Sequence, residues 1–358
     1  MSRIFPITQL NPSRFETASI LKQLASASRM LAELKGVASS IPHQGILINT
    51  LGMQEAKDSS AIENIVTTHD DLYRDSLFAD HELDPAAKEV LRYRQALNVG
   101  FQAVQKSGLL TINHILAIQA ELERNNAGFR KLPGTELKDG GGRTVYVPPQ
   151  DHQTIVDLMR DLEIFVNNPA AFDADPLIKM AVIHHQFESI HPFYDGNGRT
   201  GRILNVLYLV KEELLDNPIL YLSRAIVNTK ADYYRLLQSV REDGAWEDWV
   251  LYMLTVVETT SRDAISTVKA IKNTLLETKH KIRDRHRFYS QDLVNSLFSH
   301  PYTKIDFLSQ DLGVSRLTAT RYLEELCESG LLEKRKIGRS NYYINRNLYS
   351  ILTGETMR

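Results

Sequence analysis

The densest chemistry in the chain lies between His191 and Arg202, where the residues run HPFYDGNGRTGR. A histidine, with a reference pKa of about 6.5, is the natural proton acceptor for an attacking hydroxyl. Asp195 is a hard oxygen ligand of the kind Mg²⁺ takes when it bridges phosphates. Gly196-Asn197-Gly198 leaves main-chain N–H groups unobstructed at the start of a helix, which is a site for phosphate. Arg199 and Arg202 stand three apart, project on one face of that helix and can meet the same polyphosphate. A pure nucleotide sensor needs phosphate donors but no base, whereas here base, metal ligand and anion cradle sit together.

The elements around the motif must hold it as helix, loop, helix. An apolar stretch with Leu177, Ile178, Met180, Ala181, Val182 and Ile183 precedes it and carries His184 and His185. Pro192 and the glycines stop that helix, and Arg199 to Val210 reads as a new one. Residues 196–201 also spell GxGxxG, but the dinucleotide fingerprint needs a preceding strand and an acid about twenty residues on, and both are missing. His184, His185 and His191 lack the HExxH spacing and have no cysteine to help, so the first two read as packing and hydrogen-bonding residues.

Further out, Glu16 to Phe78 reads as helices, as do Pro85 to about Val104 and Ile112 to Leu122. Gly128 to Pro149 reads as a β-hairpin reversing at Asp139-Gly140-Gly141-Gly142. Helices resume after Pro149, with Asp175-Pro176 as a start, and Ile265 to Arg285 reads as a connecting helix with a thin apolar stripe. The expected division is an N-terminal helical region over 1–104, a core over 105–255, a connecting helix over 256–286 and a small domain over 287–358. The fold class is mainly α.

The chain has 358 residues, 43% of them hydrophobic, enough for a sizeable core and two or three domains. A net charge of −2 gives no global sign of a polyanion binder. Cys327 is the only cysteine, the N-terminus has no signal-peptide character and no run of about 18 apolar residues appears, so a reduced cytoplasm and no membrane span are expected.

Residues 191–202 resemble the signature of the Fic family, HPFx[DE]GNGRxxR, and match it at every fixed position. The resemblance implies transfer of AMP from ATP to a side-chain hydroxyl of a protein, a nucleotidyltransferase reaction that uses Mg²⁺. By it His191 deprotonates the target and Asp195 holds the metal. Glu63, His191, Gly196, Asn197, Gly198, Arg199, Thr200, Gly201 and Arg202 line the ATP site, Arg202 taking the γ-phosphate. Tyr234 takes the place of the adenine-side aromatic, and the hairpin that of the target-docking flap. Family members often pair as homodimers and label themselves as well as a target protein. Some relatives transfer UMP or phosphocholine, and some also remove AMP.

Ser59 to Asn64 reads SSAIEN and is similar to the inhibitory-helix pattern [ST]xxxE[GN] of that family. The resemblance implies an inhibitory element near 54–65 made of Ser59, Glu63 and Asn64. There Glu63 pairs with Arg202 and occupies the place of the γ-phosphate.

Residues 305–345 read as a winged helix: a helix, a turn at Gly313, a helix capped by Ser315 and two strands about Gly338. Arg316, Thr318, Thr320 and Arg321 lie on the face a recognition helix shows to DNA, and Lys334, Arg335, Lys336 and Arg339 form a basic wing. Glu324, Glu325, Glu328 and Glu333 stand against DNA binding. A DNA-binding regulator that senses nucleotide is therefore the competing reading.

Overall fold

The computed structural model describes residues 7–75, 84–337 and 340–354. Phe78, Gly338 and Arg339, named above, lie outside them. The described chain is mainly helical, with two small antiparallel sheets.

The N-terminal part forms α1 (Ala18–Ala38), α2 (Gly45–Ile62) and α3 (His69–Asp75). Thr17 caps α1, its side chain accepting from the Ile20 N–H at 3.3 Å. Next come α4 (Pro85–Ser107), which Asp84 and Pro85 open and left-handed Gly108 closes, and α5 (Ile112–Glu123), capped by Thr111.

The hairpin is β1 (Leu137–Lys138) with β2 (Thr144–Tyr146). Its reversal is held by Asp139, whose Oδ1 accepts from the N–H groups of Gly141 and Arg143 at 3.0 and 2.9 Å. Those donors hold the Asp139 carboxyl below its usual range. Tyr146 anchors the flap, its hydroxyl donating to the Ser189 carbonyl at 2.9 Å, while Val145 and Val147 stay exposed.

The centre consists of α6 (His152–Asn167), α7 (Pro176–Ile190), α8 (Asn197–Lys211), α9 (Leu222–Asn228) and α10 (Lys230–Asp243). Every residue of α7 from Leu177 to Ile190 is buried, so this helix is enclosed on all sides. His184 and His185 are structural there: His184 Nε2 lies 2.9 Å from the Tyr233 hydroxyl and its ring stacks on Trp249, and His185 Nε2 lies 3.3 Å from the Leu237 carbonyl.

One helix, α11 (Trp246–Arg285), runs unbroken through the expected boundary between 255 and 256. The connecting segment is its second half. No glycine or proline interrupts it, and between Ile265 and Arg285 the stripe is wider than the sequence suggested, since Ile271, Thr278 and Ile282 are buried besides Ile265, Val268 and Leu275. Trp249 ties its start to α7 through Nε1–H donating to the Ala181 carbonyl at 2.8 Å, and α1 packs along it. At 1.5 Å per residue its 40 residues span about 60 Å.

The C-terminal part contains α12 (Gln291–Ser299), β3 (Tyr302–Thr303), α13 (Ile305–Leu312), α14 (Arg316–Glu328), β4 (Glu333–Ile337), β5 (Ser340–Ile344) and α15 (Arg346–Thr353). The turn between α13 and α14 uses left-handed Gly313, and Ser315 caps α14 by accepting from the Thr318 N–H at 3.2 Å. Ala319, Leu323 and Leu326 are buried, and the sheet order is β3-β5-β4. Strand β3 is too short to give a period in the sequence.

Candidate active site

His191 ends α7 in a left-handed conformation, φ 48°, and its N–H donates to the Phe187 carbonyl at 2.9 Å. A non-glycine residue there costs about 1–2 kcal/mol, so the surroundings must hold it. Arg130 does so. This fully buried arginine donates from Nε to the His191 carbonyl at 2.8 Å and from Nη2 to the Pro149 carbonyl, while its N–H donates to the Pro192 carbonyl at 2.9 Å. The start of the flap is thereby fastened to the turn. Tyr194 adds to the fastening, its hydroxyl accepting from the N–H groups of Lys131 and Leu132 at 2.8 and 3.1 Å. Arg130 was not among the expected residues, because nothing in GFRKLPG reveals that a loop arginine folds back beneath a histidine.

The turn closes on itself through Asn197. Its Oδ1 accepts from the Phe193 N–H at 2.8 Å and its Nδ2 donates to the Phe193 carbonyl at 2.9 Å. The amide therefore shapes the loop, and the main chain is what α8 offers to an anion. Gly196 is the N-cap at φ 75° with no side-chain cap bond, so the first-turn N–H groups of α8 keep their outward donors. A Cβ on Gly196 would stand 2.4 Å from Glu123 Oε1, and one on Gly198 would stand 2.7 Å from Glu63 Oε1. Gly196 is needed for close approach as well as for φ, and helical Gly198 for close approach alone.

Two arginines of α8 meet one carboxylate. Glu63 Oε1 lies 2.8 Å from Arg202 Nη2, and Glu63 Oε2 lies 2.8 Å from Arg199 Nε. Ser59 completes the grip, its Oγ accepting from Arg202 Nε at 2.8 Å and its carbonyl accepting from Nη2 at 3.0 Å. The local geometry explains the residue types at 59–64. Helix α2 ends in a Schellman turn: the Ile65 N–H donates to the Ser60 carbonyl at 3.0 Å and the Asn64 N–H to the Ala61 carbonyl at 3.1 Å, with Asn64 left-handed at φ 65°. Glu63 is the capping residue at the tip of that turn. Asn64 Oδ1 accepts from Lys230 Nζ at 3.1 Å, pinning the turn to α10.

Arg199 departs from its expected place on a polyphosphate. Besides Glu63 it binds Glu89 through Nη1 and Glu123 through Nη2, each at 2.9 Å, and its side chain is 4% exposed. Sequence reasoning missed Glu89 and Glu123, which α4 and α5 bring from more than 70 residues away. Thr200 is fully buried, and Gly201 faces α7, where a Cβ would stand 2.6 Å from Glu188 Oε1 and 3.1 Å from Phe187. Both positions are packed against neighbouring elements. Tyr234, on α10, is 48% exposed and packs edge-on against Tyr233 at 5.1 Å. Burial raises its hydroxyl pKa and the Arg202 charge opposes the shift.

Electrostatics sharpen the picture. Burial, then the Arg241 and Arg130 guanidinium groups, bring the His191 pKa down to about 3, well below the reference value used above. The imidazole is therefore neutral at pH 7 and able to accept a proton. Burial works against the charge on Arg202, but Glu63 and then Tyr233 outweigh it and leave the guanidinium above its ordinary pKa.

Glu188, enclosed between α7 and α8, is pushed by burial from 4.5 to about 7. A folded carboxyl raised in this way contributes stability below its unfolded value of 4.5 and loses it as pH rises towards 7. Glu188→Gln imitates the protonated form. Thermal melting of this variant should therefore exceed that of the natural chain at pH about 8, with the gap shrinking towards pH 4.5; an equal gap at both ends of the range would show that the carboxyl does not titrate as described.

A divalent cation has one evident foothold. Asp195 is 77% exposed beside the phosphate turn, with Oδ1 accepting from the Gly196 N–H at 2.7 Å. Among the described residues no group of three or more acidic, histidine or cysteine side chains is arranged to hold a metal by itself.

Comparison with known proteins points to one family. Residues 21–102 match the Fic/DOC family N-terminal region and residues 109–209 the Fic/DOC family itself, together about half of the chain. Residues 275–348 match the C-terminal domain of SoFic-like protein adenylyltransferases. The chain is 27% identical over 130 residues to protein adenylyltransferase fic-1 of Caenorhabditis elegans, covering 36% of this chain and 24% of that one. It is 39% identical over 72 residues to a probable protein adenylyltransferase of Aquifex aeolicus, covering 20% and 21%. The matched part thus spans about a quarter of the length of these curated relatives.

A crystal structure of a Fic family protein from Desulfovibrio desulfuricans superposes with TM-score 0.59 at 22% identity, covering 98% of this chain and all of that one. Residues 134–508 of Fic-1 from C. elegans give 0.53 at 20% identity, covering 70% and 74%. No helix among the described residues is long and apolar enough to cross a membrane.

Proposed function

The chain belongs to the Fic/DOC family, and from that premise we propose that it is a protein adenylyltransferase whose activity is restrained by Glu63. The observation that carries the proposal is the meeting of a neutral imidazole, the open N-terminus of α8 and a carboxylate already seated on Arg202. In the reaction the oxygen of a target hydroxyl attacks the α-phosphorus of ATP. The new O–P bond forms as the bond to the β-phosphate oxygen breaks; the hydroxyl proton passes to His191, and pyrophosphate leaves. Main-chain N–H groups of 196–198 and the Arg202 guanidinium bind phosphate oxygens, and Tyr234 flanks the adenine. Asp195 would hold Mg²⁺, which when bound supplies neutralising charge on the phosphates.

Glu63 blocks this by satisfying Arg202 before the γ-phosphate can. Arg199, shared among three carboxylates, holds α4, α5 and the tip of α2 against α8. The flap, with Val145 and Val147 exposed, aligns the main chain of a target, or of a second copy of the protein, beside β2. A reduced, cytoplasmic setting and a homodimer belong to the same reading, as do the inhibitory role of the 54–65 segment and the winged-helix character of the C-terminal part.

The competing reading, a DNA-bound nucleotide sensor, has less support. Several basic side chains of the C-terminal part are matched at home: Lys334 with Glu324 at 2.5 Å, Arg335 with Glu333 at 2.8 Å, and Arg316 with Asp306.

The test is to incubate the Glu63→Gly chain and Mg²⁺ with ATP labelled at either the α- or the γ-phosphate. Retention of the α-label alone is expected. Retention of the γ-label would mean phosphoryl transfer, and retention of neither would remove the enzyme reading. Equal labelling from UTP would move the proposal to a different nucleotide.

A further inference from the structure

Helix α2 is held from two directions by consecutive buried polar residues. Glu55 faces the catalytic core: its Oε1 accepts from the Ser223 hydroxyl at 2.5 Å and from the Tyr93 hydroxyl at 3.2 Å, and its Oε2 accepts from the Ser223 N–H at 3.1 Å. Gln54 faces the other way, donating from Nε2 to the main-chain carbonyl of Leu352 in α15. Helix α12 also packs on α2.

The segment after Glu63 is held by the same domain. Asp70, in α3, accepts from the Tyr302 hydroxyl of β3, and Tyr73 lies edge-on to His300 at 5.4 Å and to Tyr349 at 6.1 Å. Lys57 Nζ, 3.3 Å from His69 Nε2, joins α2 to α3. The turn carrying Glu63 is thus suspended between two helices that each have one hold on the catalytic core or on each other and a second on the C-terminal domain.

We infer that the C-terminal domain is the regulatory handle of the site: by gripping α2 through Gln54 and α3 through Asp70 and Tyr73, it positions the turn that presents Glu63 to Arg202. A partner that shifts this domain shifts the carboxylate, because a helix transmits displacement along its axis without an internal joint. This rests on the reading of Glu63 as the inhibitory group.

The test uses the full chain with two mild substitutions, Tyr302→Phe and Gln54→Met, singly and together. Each removes one hydrogen bond while keeping the side chain's bulk. Hydrogen exchange should accelerate at the amides of residues 56–64 by roughly three- to tenfold per bond lost, with α7 unchanged. Transfer of the ATP α-label should rise in the same order and gain nothing further in a Glu63→Gly background.

Unchanged exchange at 56–64 in the double variant overturns the inference, and so does equal acceleration in α7, which would be general loosening. Exchange needs no turnover. Faster exchange at 56–64 therefore supports the mechanical coupling even where Glu63→Gly leaves labelling flat, and that second result counts against the inhibitory reading alone.

Discussion

His191→Ala is expected to lower transfer of the ATP α-label by about 10²–10⁴-fold, the usual cost of losing a general base. Nucleotide binding should survive, because the anion cradle is main chain and Arg202, neither of which the substitution touches. A binding titration beside the labelling assay separates the two, and a variant that loses both in parallel would show His191 to be structural.

The pH profile gives a second check on the same residue. A histidine depressed to about 3 stays neutral throughout the range where a free one charges. The free enzyme's kcat/KM should accordingly show no acid limb near the ordinary histidine value. Stability follows the opposite path from that of Glu188. With His191 held down, and His184 likewise down to about 3 by burial, the contribution is complete above the unfolded value of 6.5 and is lost as pH falls towards 3.

Glu63→Gly is expected to raise transfer by about 5- to 150-fold, the span of a coupling of 1–3 kcal/mol. The physical cause is competition for Arg202, whose Nη2 cannot serve Glu63 and a phosphate oxygen at once. The same substitution leaves two buried guanidinium groups short of a partner, since Glu63 also holds Arg199 Nε. Without nucleotide the variant should be less stable by about 1–3 kcal/mol, and added ATP should restore more melting temperature to it than to the natural chain. Unchanged labelling together with an unchanged nucleotide shift would leave Glu63 as an ordinary structural pair.

Much of the site was legible because its motif is contiguous: the stop at Pro192, the glycines and the two arginines lie in one twelve-residue run. The helical character was legible too, from apolar spacing and from caps such as Thr17, Thr111, Asp175-Pro176 and Ser315. What could not be read is whatever depends on distant segments meeting. Glu89 and Glu123 look like ordinary solvated helix residues until α4 and α5 turn them onto Arg199. Arg130 carries no local mark of its place beneath His191.

Burial was equally invisible, and it is the largest cause, ahead of the Arg241 and Arg130 charges, of the His191 imidazole's departure from the reference value that a sequence supplies. The continuity of α11 across 255/256 was hidden for another reason. Polar residues at 265–285 suggested a linker, whereas their apolar neighbours keep to the one stripe that α1 and the C-terminal elements cover.

The left-handed asparagine after Glu63 has a consequence for how this position can drift over generations. Glycine would adopt φ 65° more readily still, but a branched residue such as valine would resist it and tend to let α2 wind on by another step. Such a step would re-aim the chain that follows residue 64 and break the turn bonds from the Asn64 and Ile65 N–H groups, so the tip that carries Glu63 would lose its anchorage although no charge had been altered. Tolerance at residue 64 is thus governed by the handedness of the backbone, and a silent-looking exchange there could unlock the protein.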